Sequence, residues 1–544
     1  MEGRSDPTNA SQLRDFDFDG VQCGFCHQLF DPFYADSYAG VRESNDWLNY
    51  WDETNASGSP SQPAADRTFA ADAALAASIR LFNNAPFYQN DQPFSSGYTE
   101  NAAGQYFISP DRQKRGPFAD ANARHPILYS RYHKSKYFCS TCHDVSNPVL
   151  ANLGADPSQP LPSETDPAFS YYHVERTFSE FILSAYGQEG GAPGLGPYAP
   201  AAFTTSLANN YISACQDCHM RDVVGQASWR MRPPVRPNQS VEHPQSGMPL
   251  HDLTGGNAWV STVLASTVPN SPNYDPTNES LLKQGPDVLT LDLSQGSGID
   301  ANALLAGAGR AIQQLEQAAS FEAVVYDPAS GQLSLRIQNQ TGHKLISGFP
   351  EGRRMFLNVK AFNGTGQVIY ELNPYDYSAG TLRGLDPAYA PSSPPLQANQ
   401  VHLDEFVYEM KPTSSLTGEA KSFHFALATG RYKDNRIPPV GFDSAAASER
   451  LAEPVWHGAS DPAYFTAEEY AGGYDAVTLQ LPQGAQRVEI NLYYQITSRE
   501  YMEFLRDEIN GEGNLTLSSP TLAGEPEAYI VQTDPHFRQL KAWG

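Results

Sequence analysis

All six cysteines of this chain fall in three copies of one pentapeptide: Cys23-Gly-Phe-Cys26-His27, Cys139-Ser-Thr-Cys142-His143 and Cys215-Gln-Asp-Cys218-His219. Cys-x-x-Cys-His is the attachment pattern of c-type haem. The two thiols become thioethers to the porphyrin, and the adjoining imidazole binds the iron from one face. Competing uses of these residues fit less well. A structural zinc site needs further Cys or His ligands at short spacing, and these motifs are widely separated. A thioredoxin-type pair comes once, in a βαβ setting, without an obligatory following His. A disulfide framework suits short secreted chains, not 544 residues. The cofactors predicted are three haem c groups, held by Cys23, Cys26, Cys139, Cys142, Cys215 and Cys218, with His27, His143 and His219 on the irons.

The rest of the composition narrows the class. Sixty-one acidic against 36 basic residues give a net charge of −25. That charge argues against nucleic acid or an anionic membrane surface as partner. No apolar run approaches membrane-spanning length. With 42 Gly and 42 Pro, much of the chain is expected as turns and irregular connections. Thioether attachment takes place outside the cytoplasm, so an exported protein is predicted: extracellular, on the cell surface or periplasmic. The opening Met1-Glu-Gly-Arg-Ser-Asp lacks a charged-then-apolar leader; the expectation is a signal peptide absent from this numbering.

The fold class expected is mixed. A loop-rich, haem-packed N-terminal region with short helices (1–255) leads through a linker with a helix (256–320) into a β-sandwich-like C-terminal domain (321–544). Thr177-x-x-Glu180 reads as a capping box opening a short helix, and Pro233 to Pro249 as an extended connection. Leu304, Leu305, Ile312 and Leu315 mark a helix within 301–319. Two hairpins follow: 321–326 with 333–337, and 355–362 with 368–372. Further strands are expected at 401–410, 423–427, 477–481 and 488–494. Thr497-Ser-Arg-Glu500 is expected to cap a last helix near 498–509.

The second axial position of each iron decides what the haems can do. A second His gives a closed iron that only passes electrons, whereas a vacant face admits a substrate. Of 13 histidines, ten lie outside the motifs, and three of these stand out. His133 precedes Cys139 by six residues and is placed to serve a neighbouring haem. His251 ends the proline-rich segment just before Gly255-Gly256, and His343 sits at a tight corner leaving a strand. His125 is the reserve, and His173 and His243 are weaker. Methionine is an alternative ligand, with Met248 near His251. Asp15-Phe-Asp17-Phe-Asp19-Gly20 reads as the first half of a calcium loop, although Cys26 stands where its Glu belongs. Ca2+ is therefore carried as a possible further cofactor.

Several stretches together resemble a group of exported multihaem c-type cytochromes, including the extracellular cytochrome nanowires of respiring microbes. They are Asp19-Gly-Val-Gln-Cys23, His133-Lys-Ser-Lys-Tyr-Phe-Cys139, Cys142-His-Asp-Val-Ser-Asn-Pro148, Glu175-Arg-Thr-Phe-Ser-Glu180 and Cys215-Gln-Asp-Cys-His-Met220. Further on come His251-Asp-Leu-Thr-Gly-Gly-Asn257, Thr341-Gly-His-Lys-Leu345, Phe349-Pro-Glu-Gly-Arg-Arg354 and Lys433-Asp-Asn-Arg-Ile-Pro-Pro439. The resemblance covers most of residues 19–439. It implies that His133, His251 and His343 are distal ligands, His343 reaching in from the β domain; Ile346 stands where many relatives have Pro. It also implies electron transfer through bis-His haems and head-to-tail self-association into a filament, with other redox proteins or extracellular acceptors as partners. The alternative is a multihaem oxidoreductase with one open iron, acting on a small nitrogen or sulfur compound.

Overall fold

The computed structural model describes residues 21, 23–42, 62–80, 84–93, 106–111, 113–117, 125–146, 175–202, 211–220, 222–223, 248–251, 253–283, 300–350, 352–415 and 417–509. Its architecture is mixed, loop-rich towards the N-terminus and sheet-rich towards the C-terminus. Up to Pro249 the described elements are short: one helix of 15 residues, Gln62–Ala76, and otherwise single helical turns and strands of two or three residues. Aromatic side chains make the local core, with Phe30, Tyr34 and Tyr88 buried against Ala76. Among the described residues no helix is long and apolar enough to cross a membrane.

The expected helix around 301–319 forms over Ala301–Glu316. Asp300 caps it by accepting from the amides of Asn302 (2.9 Å) and Ala303 (3.2 Å). Its small residues Ala308 and Ala311 let Ala258, at the start of helix Trp259–Ser266, approach closely.

Two sheets share one core beyond it. Strand Gln332–Asn339 lies between Ala319–Asp327 and Tyr474–Gln480, antiparallel to both. Strand Arg354–Phe362 pairs along one edge with Arg487–Gln495, and along the other with Val368–Leu372 and Val407–Thr413. Alternation does the sorting: Leu333, Leu335 and Ile337 point inward and meet Leu357, Val359 and Ala361 of the second sheet. Both expected hairpins are present. In the first turn Gly331 has φ +77°, and a Cβ there would lie 2.5 Å from the Leu481 carbonyl oxygen, so glycine is required.

Four expectations are corrected. The strand placed at 423–427 is a 3₁₀ turn, Phe425–Leu427. The ladder position belongs to Gly430–Asp434, whose Arg431, Lys433 and Asp434 are buried as ions and give no apolar signal. The strand placed at 401–410 is broken: Gln400–Val401 runs parallel to Glu371–Leu372, and a 3₁₀ turn at Asp404–Phe406 precedes Val407–Thr413. The last helix, Arg499–Ile509, starts from Ser498, whose Oγ accepts from the Tyr501 amide; Thr497 does not form the box, because Glu500 turns inward to Thr381 and Arg354. Helix Thr177–Ile182 forms without its capping box, for Glu180 is used elsewhere. A capping box that the pattern search missed joins Thr466 and Glu469.

Candidate functional site

Each of the three motifs folds as the same helical turn. The His27, His143 and His219 amides donate to the Cys23, Cys139 and Cys215 carbonyls at 3.0, 2.9 and 3.0 Å. An i, i+3 spacing on such a turn puts both thiols of a motif on one side. The motifs then meet in space. Cys26 feels the charge of Cys142, and the Cys139 and Cys215 thiols share a hydrogen bond that raises Cys139 and lowers Cys215. Gln216 ties the third to the loop before the second, donating to the carbonyls of His133 (3.2 Å) and Ser135 (2.9 Å).

Four imidazoles are held by Nδ1. His27 donates to the Arg115 carbonyl (2.6 Å), His219 to that of Thr254 (2.7 Å), His343 to that of Lys344 (3.0 Å) and His143 to the Glu175 carboxylate (2.7 Å). A proton fixed on Nδ1 leaves Nε2 as the lone-pair atom, the tautomer that an iron ligand needs. Burial lowers His27 and His343, keeping them neutral. The hydrogen bond to Glu175 raises His143.

The rings pair as follows. His219 and His343 lie 6.4 Å apart between centres, at 19°. His133 is 5.6 Å from His27 at 6°, and His251 is 6.1 Å from His27 at 30°. Two imidazoles bound to opposite faces of one metal ion, at about 2 Å per bond, put their ring centres about 6 Å apart. His133 is pushed down to about 3, mainly by burial. It bonds at both nitrogens, to Ser130 Oγ (3.1 Å) and the Cys26 carbonyl (2.9 Å). His251 is exposed, and His125 contacts its neighbour, the Pro126 carbonyl. His173, His243, the Pro233 connection up to residue 247 and the Asp15–Gly20 loop lie outside the described residues. Among the described residues no group of three or more His, Cys, Asp or Glu side chains converges as for a directly bound metal ion.

His343 is delivered by a buried ionic cluster that crosses from the helix Thr177–Ile182 to the β domain. Glu180 accepts from the Lys344 amide (3.1 Å) and Ser347 Oγ (2.5 Å), and pairs with Arg436 (2.9 Å). Arg436 also grips Asp434 through Nε (2.8 Å) and Nη2 (2.9 Å), and Lys344 Nζ reaches the same carboxylate at 3.0 Å. These side chains are fully buried or nearly so. Burial raises Asp434, but Arg436 and Lys344 outweigh it and hold the carboxyl far below the usual range. The Leu345–Ile346 peptide beside this cluster is cis.

The residues present fit haem c. Besides the imidazole pairs, two buried polar atoms stand without protein partners: Nη1 of Arg115, the residue whose carbonyl holds His27, and Oη of Tyr186, which packs with Cys218. Arg115 and Tyr186 carried no sequence signal. The ionic cluster did carry one, because Glu180, Lys344, Asp434 and Arg436 all lie in stretches that resemble the multihaem cytochromes.

No family model matches the chain, and no curated protein matches it. Among solved structures, the penta-heme cytochrome c552 from Thermochromatium tepidum aligns at a TM-score of 0.31 and 14% identity, over 70% of this chain and 53% of that one. The chain thus spans about half the length of that cytochrome.

Proposed function

We propose that this protein carries three c-type haems with imidazole on both faces of each iron, and that it transfers electrons outside the cytoplasm. The observation that carries the reading is the His219–His343 pair, 6.4 Å apart and 19° from parallel, with both Nδ1 atoms anchored. When bound, haem c supplies reversible one-electron chemistry. The chain's own residues attach it, close its faces and set its potential. His133 is assigned opposite His27, because their planes differ by only 6°; binding through Nε2 replaces its bond to the Cys26 carbonyl. His251, whose ring also lies beside His27, is the third distal ligand. Bis-imidazole ligation without Met keeps the potentials low, and Glu175 makes His143 a more basic ligand, lowering its iron further.

Three haems in 544 residues leave most of the surface to protein contacts, and a short haem row gains range only by hand-over to another molecule. The chain is accordingly read as an extracellular subunit joined head-to-tail, since an open heterologous contact gives a filament. Electron microscopy tests this: compact single particles at high concentration remove the filament and leave an exported carrier. The alternative is a multihaem oxidoreductase with one open iron. Optical and EPR spectra separate the two. Low-spin iron throughout supports the relay, and a high-spin component in the resting protein supports an enzyme acting on a small nitrogen or sulfur compound.

A further inference from the structure

We propose that Asp72 and Arg115 form a proton-accepting site coupled to charge at the His27 centre, so that this region takes up a proton as it takes up an electron. The inference rests on His27 being an iron ligand.

Arg115 connects the two places covalently. Its backbone carbonyl accepts the Nδ1 proton of His27 at 2.6 Å, and its amide donates to the His27 carbonyl at 2.7 Å. Its guanidinium, 0% exposed, donates from Nε (3.0 Å) and Nη2 (2.8 Å) to Asp72, whose side chain is 5% exposed. Both bonds end on Oδ1, which leaves Oδ2 as the atom for a proton. Arg115 Nη1 is buried without a protein partner. The guanidinium charge also acts on His133, whose ring stacks on His27.

Asp72 also has a route to water. It lines a cavity of about 80 Å³ with Asp31, Tyr34, Thr68 and the segment 129–132, whose rim includes the exposed Tyr38 and Gln62. A water needs about 10–15 Å³ of such space, so the cavity holds several. The groups facing Asp72 are Arg115, Asp31, Tyr34 and Tyr38, with Tyr129, Arg131 and Tyr132 across the cavity. Asp31 is itself neutralised by Arg42 at 2.6 Å. Burial pushes the Asp72 carboxyl up to about 6, against the attraction of Arg115 and with a smaller push from Asp31. A small change in nearby charge therefore moves its proton occupancy at neutral pH.

The balance is simple. One electron from an external reductant adds one negative charge at the His27 centre, and one proton passes from bulk water through the cavity to Asp72 Oδ2. On oxidation both leave. The reduced form binds the proton more tightly, so the carboxyl's reduced-state pKa lies above its oxidised-state pKa. Between the two, the potential falls as pH rises.

The test is a spectroelectrochemical titration of the holoprotein from pH 5 to 8, with dithionite as reductant. One of three waves is expected to move negative with rising pH, by at most 59 mV for each tenfold fall in proton concentration. Asp72→Asn is expected to abolish that slope and leave the other two waves in place. Infrared difference spectra of the wild-type protein are expected to gain a carboxylic C=O stretch on reduction, a readout that holds even if the variant does not fold. Waves that ignore pH, no carboxylic band on reduction, or a slope and band that survive in Asp72→Asn would each overturn the proposal. Absence of reversible waves at any pH would instead strike the electron-transfer reading itself.

Discussion

His343 shares two features with His27: an Nδ1 held by a carbonyl and a buried, neutral ring. Its Nδ1 is fixed on a neighbouring carbonyl, its environment keeps it neutral, and its face lies 6.4 Å from His219. Replacing it by Ala is expected to open one iron: the reduced variant should bind one carbon monoxide per chain, counted by optical titration, where the wild type binds none. His143 differs in leaning on a carboxylate. Glu175→Gln removes the negative charge from that contact, and one of the three midpoint potentials should rise while two stay put, as read by protein film voltammetry. At this scale the sequence was most informative. The six cysteines and the motif histidines form a repeated pattern visible in the sequence itself, whereas Arg115 and Asp72 are distant in sequence and ordinary in composition. Nothing marks such a pair until the chain has folded.

Elements were legible where a single period governs burial. Strand Gln332–Asn339 alternates between less buried and buried residues over 332–337, and the expected span 333–337 falls inside it. Strand Gly430–Asp434 was missed because its buried side chains are Arg, Lys and Asp, which satisfy one another rather than the apolar core. That ionic interior dictates how the elements fail. Removing one partner of a buried pair costs about 3–5 kcal/mol, so Arg436→Met should lower unfolding stability by that amount, measured by denaturant titration. It should also disturb the spectrum of one haem, because Glu180 and Asp434 then lose their shared cation. Thr466→Ala, which deletes a capping box at the surface of the same domain, should cost only about 1 kcal/mol. Glu409 gives the acid response. Burial raises it, but Lys411 at 2.5 Å and Lys433 at 3.1 Å prevail and hold it at about 2. A folded-state value depressed in this way stabilises fully above the unfolded value near 4.5. That stabilisation disappears as pH falls from about 4.5 towards 2. Thermal melts over that range should show the loss, and Glu409→Gln should flatten it.

For the whole molecule, the three motifs lie close together: the charge of Cys142 is felt at Cys26, and Cys139 shares a hydrogen bond with Cys215. Under the proposed haem attachment, that proximity would let the three sites act as a relay. The helix Thr177–Ile182, clamped to the His343 corner, joins the motif-bearing region to the β domain that carries His343. A net charge of −25 makes like copies repel, and salt screens such repulsion. If the subunits join head-to-tail, filaments seen by electron microscopy should lengthen as ionic strength rises from about 10 mM to 150 mM. The central claim, however, concerns the irons and not the assembly. EPR of the oxidised holoprotein, followed by carbon monoxide added to the dithionite-reduced form, tests it most directly. Closed irons give three low-spin signals and an optical spectrum that carbon monoxide leaves unchanged. A high-spin signal, or a shifted Soret band on adding the gas, would mean that one face is open and that the protein is built for catalysis.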